Sequence, residues 1–261
     1  MDMVILIHSM KKLFALVLIS LFVFIGAGSV TLAKEKTQIP EENGVYNDPD
    51  NPNIKVRVFV HRERPTKPTP PPPVLMCGLS DGNSDSLVNN EVWKLPASWT
   101  YNLNTESVPS SVGMNNLSQI ARDGFDEWSG PTGVVFNRGS DTLVSTQKLD
   151  YQNIITWGRV SASALGITYI RYNSSGLVVD VDTILNKKYA WAWSNSNTCA
   201  YDGVYDAENI LTHELGHWVG IDDEYTSDFV NNTMYGYGAK GETKKDTLTT
   251  GDFQGASQIY R

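Results

Sequence analysis

Asn209-Ile210-Leu211-Thr212-His213-Glu214-Leu215-Gly216-His217-Trp218-Val219-Gly220-Ile221-Asp222-Asp223 is the stretch that decides how the other residues of this 261-residue chain are read. Positions four apart on a helix lie one turn above each other, so the imidazoles of His213 and His217 point from one face at a common ion. Leu211, Leu215 and Trp218 fall on the opposite face, which packs into a core. A catalytic zinc takes three protein ligands and keeps a position for water, and Glu214 is placed to accept that water's proton as general base. Gly220 lets the backbone leave the helix through a left-handed or strained turn, and Asp223, three residues on, can return a carboxylate as the third ligand. Asp222 and Glu224 are the alternatives if the turn differs. The bland reading is two histidines falling four apart on a surface helix. Against it, His8 lies in an apolar leader and His61 lies ahead of a proline run, so the domain around the motif holds only the motif's two histidines.

The formal net charge of -8 and the absence of any Lys/Arg run argue against nucleic acid as the main partner. No repeat or heptad pattern is present, which excludes collagen, coiled coils and solenoids. Lys11 and Lys12 precede an apolar run from Leu13 to Ile25 and then small residues through Ala33, the order of a secretory signal over residues 1–33. Export to the outside of the cell follows, with no stable membrane insertion once the signal is cleaved. An uncleaved anchor, giving a cell-surface protein, is the alternative.

Residues 34–76 form an N-terminal prosegment or extension. Its first part, to about Asn53, is polar and expected to stay extended or disordered. Ile54, Val56, Val58 and Val60 then alternate with Lys55, Arg57 and Phe59, the pattern of a half-buried strand. The proline-rich linker 65–73 favours a stiff polyproline II spacer and marks the domain boundary. Residues 77–261 are the catalytic domain. Strands are expected at 99–103, 133–136, 153–158, 165–170 and 177–185. A first helix carries Leu117, Ile120, Ala121, Phe125 and Trp128, and two more span about 207–219 and 251–260. That order reads as α+β, an open sheet with its helices mostly on one side.

With Gly220 and a ligand ten residues after the first histidine, the motif resembles that of the metzincin metallopeptidases, and its flanks are most similar to the matrixin branch. Asn232-Thr233-Met234-Tyr235-Gly236 resembles the Met-turn, in which Met234 would lie beneath the zinc. Leu248 to Tyr260 is similar to the matrixin closing helix, and Phe125-Asp126-Glu127-Trp128 with Val134-Val135-Phe136 looks like the first helix and the next strand. The resemblance covers residues 93–260. It implies an open, twisted, mostly parallel sheet with an antiparallel edge strand, an active-site helix and a C-terminal helix. It also implies a monomeric zinc endopeptidase acting on protein or peptide substrates. Asp223 stands where most matrixins have a third histidine, as in snapalysin-type metzincins. Histidines for a second, structural zinc are lacking, so one catalytic Zn2+ is expected.

The resemblance suggests further roles, each beside a plainer one. Tyr237 matches the tyrosine that astacin-like and serralysin-like relatives place near zinc as a transition-state stabiliser, or it simply packs. In the family an extended peptide pairs with the edge strand, for which Ala164 to Ile170 is the candidate, with an ordinary interior strand as alternative. Asp180 and Asp182 could join a structural Ca2+ site or belong to a solvated strand face. Export makes a Cys77–Cys199 disulfide the default. Cys77-Gly78-Leu79-Ser80-Asp81 also faintly resembles the matrixin cysteine switch, although Met76 stands where an arginine is expected. Two rival functions stand beside the peptidase. One is a catalytically silent secreted binding protein on the same scaffold, disfavoured by the intact Glu214. The other is a hydrolase of another H-E-x-x-H group with Glu242 as distant ligand, which Gly220, Asp223 and Met234 speak against.

Overall fold

The computed structural model describes residues 38–65, 83–194 and 203–261. The leader, the proline run, Cys77 and Cys199 lie outside these residues, and with them the expected disulfide and its switch alternative. Among the described residues no helix is long and apolar enough to cross a membrane.

The expected α+β architecture is present. Strands β1 (Gly44–Asn47), β2 (Lys55–Glu63), β3 (Ser98–Leu103), β4 (Val135–Asp141), β5 (Ile154–Gly158), β6 (Ala164–Tyr172) and β7 (Val178–Asn186) form a sheet in the order β1-β2-β6-β7-β5-β3-β4. Strands β4, β3, β5 and β7 run parallel, and β6 is antiparallel to β7. Helix α1 (Leu117–Thr132), a short two-stranded pair β8 (Trp191–Ala192) and β9 (Tyr205–Asp206), helix α2 (Ala207–Trp218), strand β10 (Tyr237–Gly238) and helix α3 (Thr250–Tyr260) complete the order. Helix α1 packs against both α2 and α3. The expected strand at 133–136 begins two residues later, because Gly133 takes a left-handed φ of 68° and closes α1 by donating its N–H to the Ser129 carbonyl.

Strand β6 is the antiparallel strand expected at the sheet's edge, but the N-terminal part of the chain continues the sheet past it. Strand β2 pairs antiparallel with β6 from Lys55 opposite Tyr172 to His61 opposite Gly166, and β1 adds outside β2. The alternation in β2 is as expected, yet both of its faces are covered. Val56, Val58 and Val60 enter a second core with Ile39, Ile167, Tyr169 and Ile184. Phe59, from the other face, joins the main core with the helices. The alternation reads as one dry and one wet face; both faces are dry because a cluster of apolar side chains packs on each side of the sheet here.

Asp180 and Asp182 lie on neither a solvated face nor a cation site. Both are fully buried, and the Arg171 Nη1 donates to Asp180 Oδ2 at 2.8 Å and to Asp182 Oδ2 at 2.9 Å, while its Nε donates to Asp48 Oδ2 at 3.0 Å. Burial pushes the Asp180 and Asp182 carboxyls above the usual carboxylate range, and the shared guanidinium pulls them back. A positive side chain already sits where Ca2+ would have to bind, so the structure gives calcium no support there. Removing the cation would leave three buried carboxylates uncompensated. Arg171→Met is therefore expected to cost roughly 3–5 kcal/mol in urea unfolding at neutral pH, and a loss below about 1 kcal/mol would contradict this account.

Candidate metal centre

Helix α2 starts where Asp206 caps it: its Oδ1 accepts the N–H groups of Glu208 at 2.9 Å and Asn209 at 3.1 Å, and its Oδ2 accepts that of Ser194 at 2.7 Å. The helix ends at Gly220, whose φ of 97° suits glycine, and an added Cβ there would lie 2.6 Å from the Trp93 carbonyl. Ile221 N–H then returns to the Gly216 carbonyl at 3.1 Å. Two tryptophans fix the helix from its flanks. Trp128 Nε1 donates to the Thr212 carbonyl at 2.8 Å, and Trp93 Nε1 donates to the His217 carbonyl at 3.1 Å. Leu211, Leu215 and Trp218 are fully buried on the core face, as the periodicity required.

The turn brings Asp223 back to the histidines. His213 Nε2 lies 3.1 Å and His217 Nε2 3.7 Å from Asp223 Oδ1, and all three residues are buried. Each imidazole is oriented through its other nitrogen, with His213 Nδ1 2.8 Å from the Thr233 carbonyl and His217 Nδ1 2.9 Å from the Ile221 carbonyl. A carbonyl can only accept, so Nδ1 carries the proton and each Nε2 keeps its lone pair. Burial drives the histidine pKa values down, that of His217 to about 3, which keeps both rings neutral. Both Nε2 atoms and Asp223 Oδ1 are buried without a hydrogen-bond partner. Two neutral imidazole nitrogens and one carboxylate oxygen, converging and unsatisfied, are the donor set zinc takes. The residues fit the ion.

The alternatives for the third ligand are engaged elsewhere. Asp222 Oδ1 accepts from its neighbour Asp223 N at 2.8 Å and pairs with Arg57 Nη2 at 3.1 Å, while Glu224 Oε1 accepts from Asn89 N at 2.8 Å. Glu242 Oε2 accepts from Ala239 N at 2.8 Å and Oε1 lies 3.2 Å from Lys244 Nζ. Tyr225 was not foreseen, and its hydroxyl donates to Asp223 Oδ2 at 2.9 Å, leaving Oδ1 for the histidines. The pattern Asp-Asp-Glu-Tyr carried the signal in the tyrosine two residues after Asp223. The Tyr237 ring packs edge-on to Tyr225 and Tyr235, at ring distances of 5.2 and 5.7 Å.

Glu214 is also fully buried, and burial pushes its pKa up to about 8. Its Oε2 accepts from Thr168 Oγ1 at 2.5 Å; that hydroxyl lies 2.7 Å from Thr183 Oγ1, which accepts from Trp218 Nε1 at 2.9 Å. Because Trp218 can only donate, a consistent chain of donors runs from the indole through Thr183 and Thr168 to the carboxylate. Oε1 keeps no hydrogen bond. A nearby cation would pull the carboxyl back toward its ionised form.

Met234 is buried beneath α2, its position set by Asp252, whose Oδ1 and Oδ2 accept the N–H groups of Met234 at 3.2 Å and Thr233 at 2.8 Å. Histidine 61, set aside by its place in the sequence, belongs to this centre: its ring lies 3.9 Å from that of His213 and its Nδ1 3.4 Å from Glu214 Oε1. Sequence order hid this, because only strand pairing with β6 brings residue 61 across to α2. Lys245 is another buried surprise, its Nζ 3.3 Å from His61 Nε2 and donating to the Tyr237 carbonyl at 3.1 Å and to the Tyr235 carbonyl. Burial lowers its pKa to about 8.

The floor of the centre has no spare room. A Cβ at Gly216 would overlap Met234 Sδ and lie 2.7 Å from Trp128 Cζ2. Alanine favours a helix by about 1 kcal/mol over glycine, but overpacking a tight core costs about 1–3 kcal/mol. Gly216→Ala should therefore lower the thermal midpoint, and a raised midpoint would show that the methionine yields.

Comparison with known proteins agrees with this architecture. None of the curated proteins compared with the chain matches it. The family model of the matrixins matches residues 92–261, the span that holds the parallel strands, the metal-centre helix and the Met-turn. The chain belongs to the matrixin family, peptidase family M10, a family of zinc-dependent metalloendopeptidases.

Proposed function

We propose that the protein is a secreted zinc endopeptidase in which His213, His217 and Asp223 hold one zinc and Glu214 is the general base. The observation that carries this reading is the convergence of three buried, unpartnered ligand atoms from one helix and the turn after it. Zinc bound there would acidify a water and polarise the scissile carbonyl. Glu214 Oε1 is free to take the water's proton, while Thr168 holds Oε2 and fixes the carboxylate's direction. The same oxygen then returns the proton to the leaving amine. Tyr225 keeps Asp223 from turning away, and the two backbone carbonyls do the same for the histidines. Met234 supplies an apolar floor, and Tyr237 shapes the wall through packing.

Residues 1–33 act as the export signal, and 77–261 is the catalytic domain preceded by an N-terminal extension, consistent with the composition of each segment. The silent binding protein has one observation in its favour: β2 covers the strand on which a peptide would pair. Against it, a base held by a hydroxyl relay and left with one free oxygen has no purpose in a mere scaffold.

Zinc content and peptide cleavage of the mature secreted chain separate these readings. One equivalent of zinc is expected in the unaltered chain, in Glu214→Ala and in Asp222→Ala, and little in His213→Ala, His217→Ala or Asp223→Ala. Hydrolysis should fall at least about a hundredfold in Glu214→Ala, the scale of a lost general base. Bound zinc without cleavage by the unaltered chain would favour the silent scaffold; zinc retained in Asp223→Ala and lost in Asp222→Ala would move the third ligand.

A further inference from the structure

Beside Glu214, between α2 and β10, lies a pocket for one side chain, and His61 fills it, fully buried. Its mouth is the metal centre: the His61 ring lies 3.9 Å from that of His213, and its Nδ1 3.4 Å from Glu214 Oε1. Its walls are apolar. A Cβ added at Gly238 would come 2.8 Å from both Ile210 and Leu165 and 3.3 Å from His61 Nε2, so the lack of a side chain at 238 is what leaves the space open.

The floor of this pocket is charged. Lys245 is fully buried; its Nζ donates to the Tyr235 and Tyr237 carbonyls and faces His61 Nε2 at 3.3 Å. The backbone beneath it is pinned to the metal-centre helix, with Lys245 N donating to Asn209 Oδ1 at 2.9 Å, one turn ahead of His213. The ammonium therefore cannot swing out to water. With two of its hydrogens on carbonyls, the third points at whatever fills the pocket, and an ammonium can only donate. An aliphatic side chain there would strand a buried donor. An acceptor satisfies it, and an anionic acceptor also offsets the buried charge.

From this arrangement we propose that Lys245 is a specificity-determining residue, and that the pocket above it selects substrates carrying glutamate or glutamine next to the scissile bond. The tips of these side chains reach as far beyond Cβ as Nε2 does in histidine, so either one sets an acceptor where the third hydrogen points. Leucine matches the apolar walls but leaves the ammonium unpaired, and lysine brings a like charge against it. The proposal rests on the peptidase reading for its reaction and adds the substrate class.

The test has two arms, both on the full chain. In the first, the secreted, zinc-loaded protein cleaves a randomised peptide library and then single quenched peptides that differ at one residue flanking the cut. Glutamate and glutamine should dominate one flanking position, with kcat/KM at least about tenfold above leucine, and lysine should be cleaved least. Lys245→Met should reverse the order of glutamine and leucine, which a merely structural lysine would leave unchanged. Should Lys245→Met fail to fold, Lys245→Gln takes its place and should bring glutamate down to the level of glutamine. The second arm needs no turnover, because position 61 reports on the same pocket. In metal-free chains His61→Leu should lower the thermal midpoint by at least about 3 °C more than His61→Gln, and with Lys245→Met the order of the two should invert. Equal cleavage of the glutamine and leucine peptides, a preference that survives Lys245→Met, or one order of midpoints with and without Lys245 overturns the proposal while leaving the peptidase reading standing. Zinc bound without cleavage of any peptide overturns the peptidase reading instead, and the midpoints then decide what the pocket accepts.

Discussion

Three candidate ligand atoms, two imidazole nitrogens and one carboxylate oxygen, are turned toward one another in a buried interior without hydrogen-bond partners. Burying such groups unsatisfied costs free energy, and each of them is fixed there by a second contact that leaves the ligand atom exposed to its partners. Much of the surrounding structure serves this constraint. Asp206 starts α2, Gly220 ends it, Trp93 and Trp128 hold its carbonyls, and Asp252 ties the Met-turn beneath it. Burial also strengthens the electrostatic effect that a cation held there would have on Glu214.

The sheet contributes at a distance. Thr168 and Thr183 sit on neighbouring strands and pass a hydrogen bond from Trp218 to Glu214, so this carboxylate is oriented by β6 and β7 rather than by its own helix. Arg171 binds the far parts of those same strands to Asp48, which lies between β1 and β2. The N-terminal strands are thereby fastened to the catalytic sheet by a buried ion network as well as by backbone pairing.

Much of this was legible in the residue order, and the rest for physical reasons was not. Helical spacing made His213, His217 and the core face of α2 readable, because four-residue periodicity is a local property. Gly220 announced a turn, and with it the return of Asp223. Long-range pairing leaves no such local mark. The alternation of Ile54 to Val60 marked β2 as a strand but could not say that it lies beside β6, so His61 was counted out of a centre it helps to fill. Asp180 and Asp182 looked like cation ligands or surface charges because Arg171, their partner, lies on the other strand of an antiparallel pair. Tyr225 and Lys245 were invisible for a like reason: their roles depend on where loops cross the helix.

X-ray absorption at the zinc edge of the purified, full-length chain tests the central claim most directly. The account predicts a first shell of light atoms alone, two imidazole nitrogens at about 2.0–2.1 Å with oxygen at about 2.0–2.2 Å. A sulfur scatterer near 2.3 Å, or a chain that takes up no zinc, would contradict it.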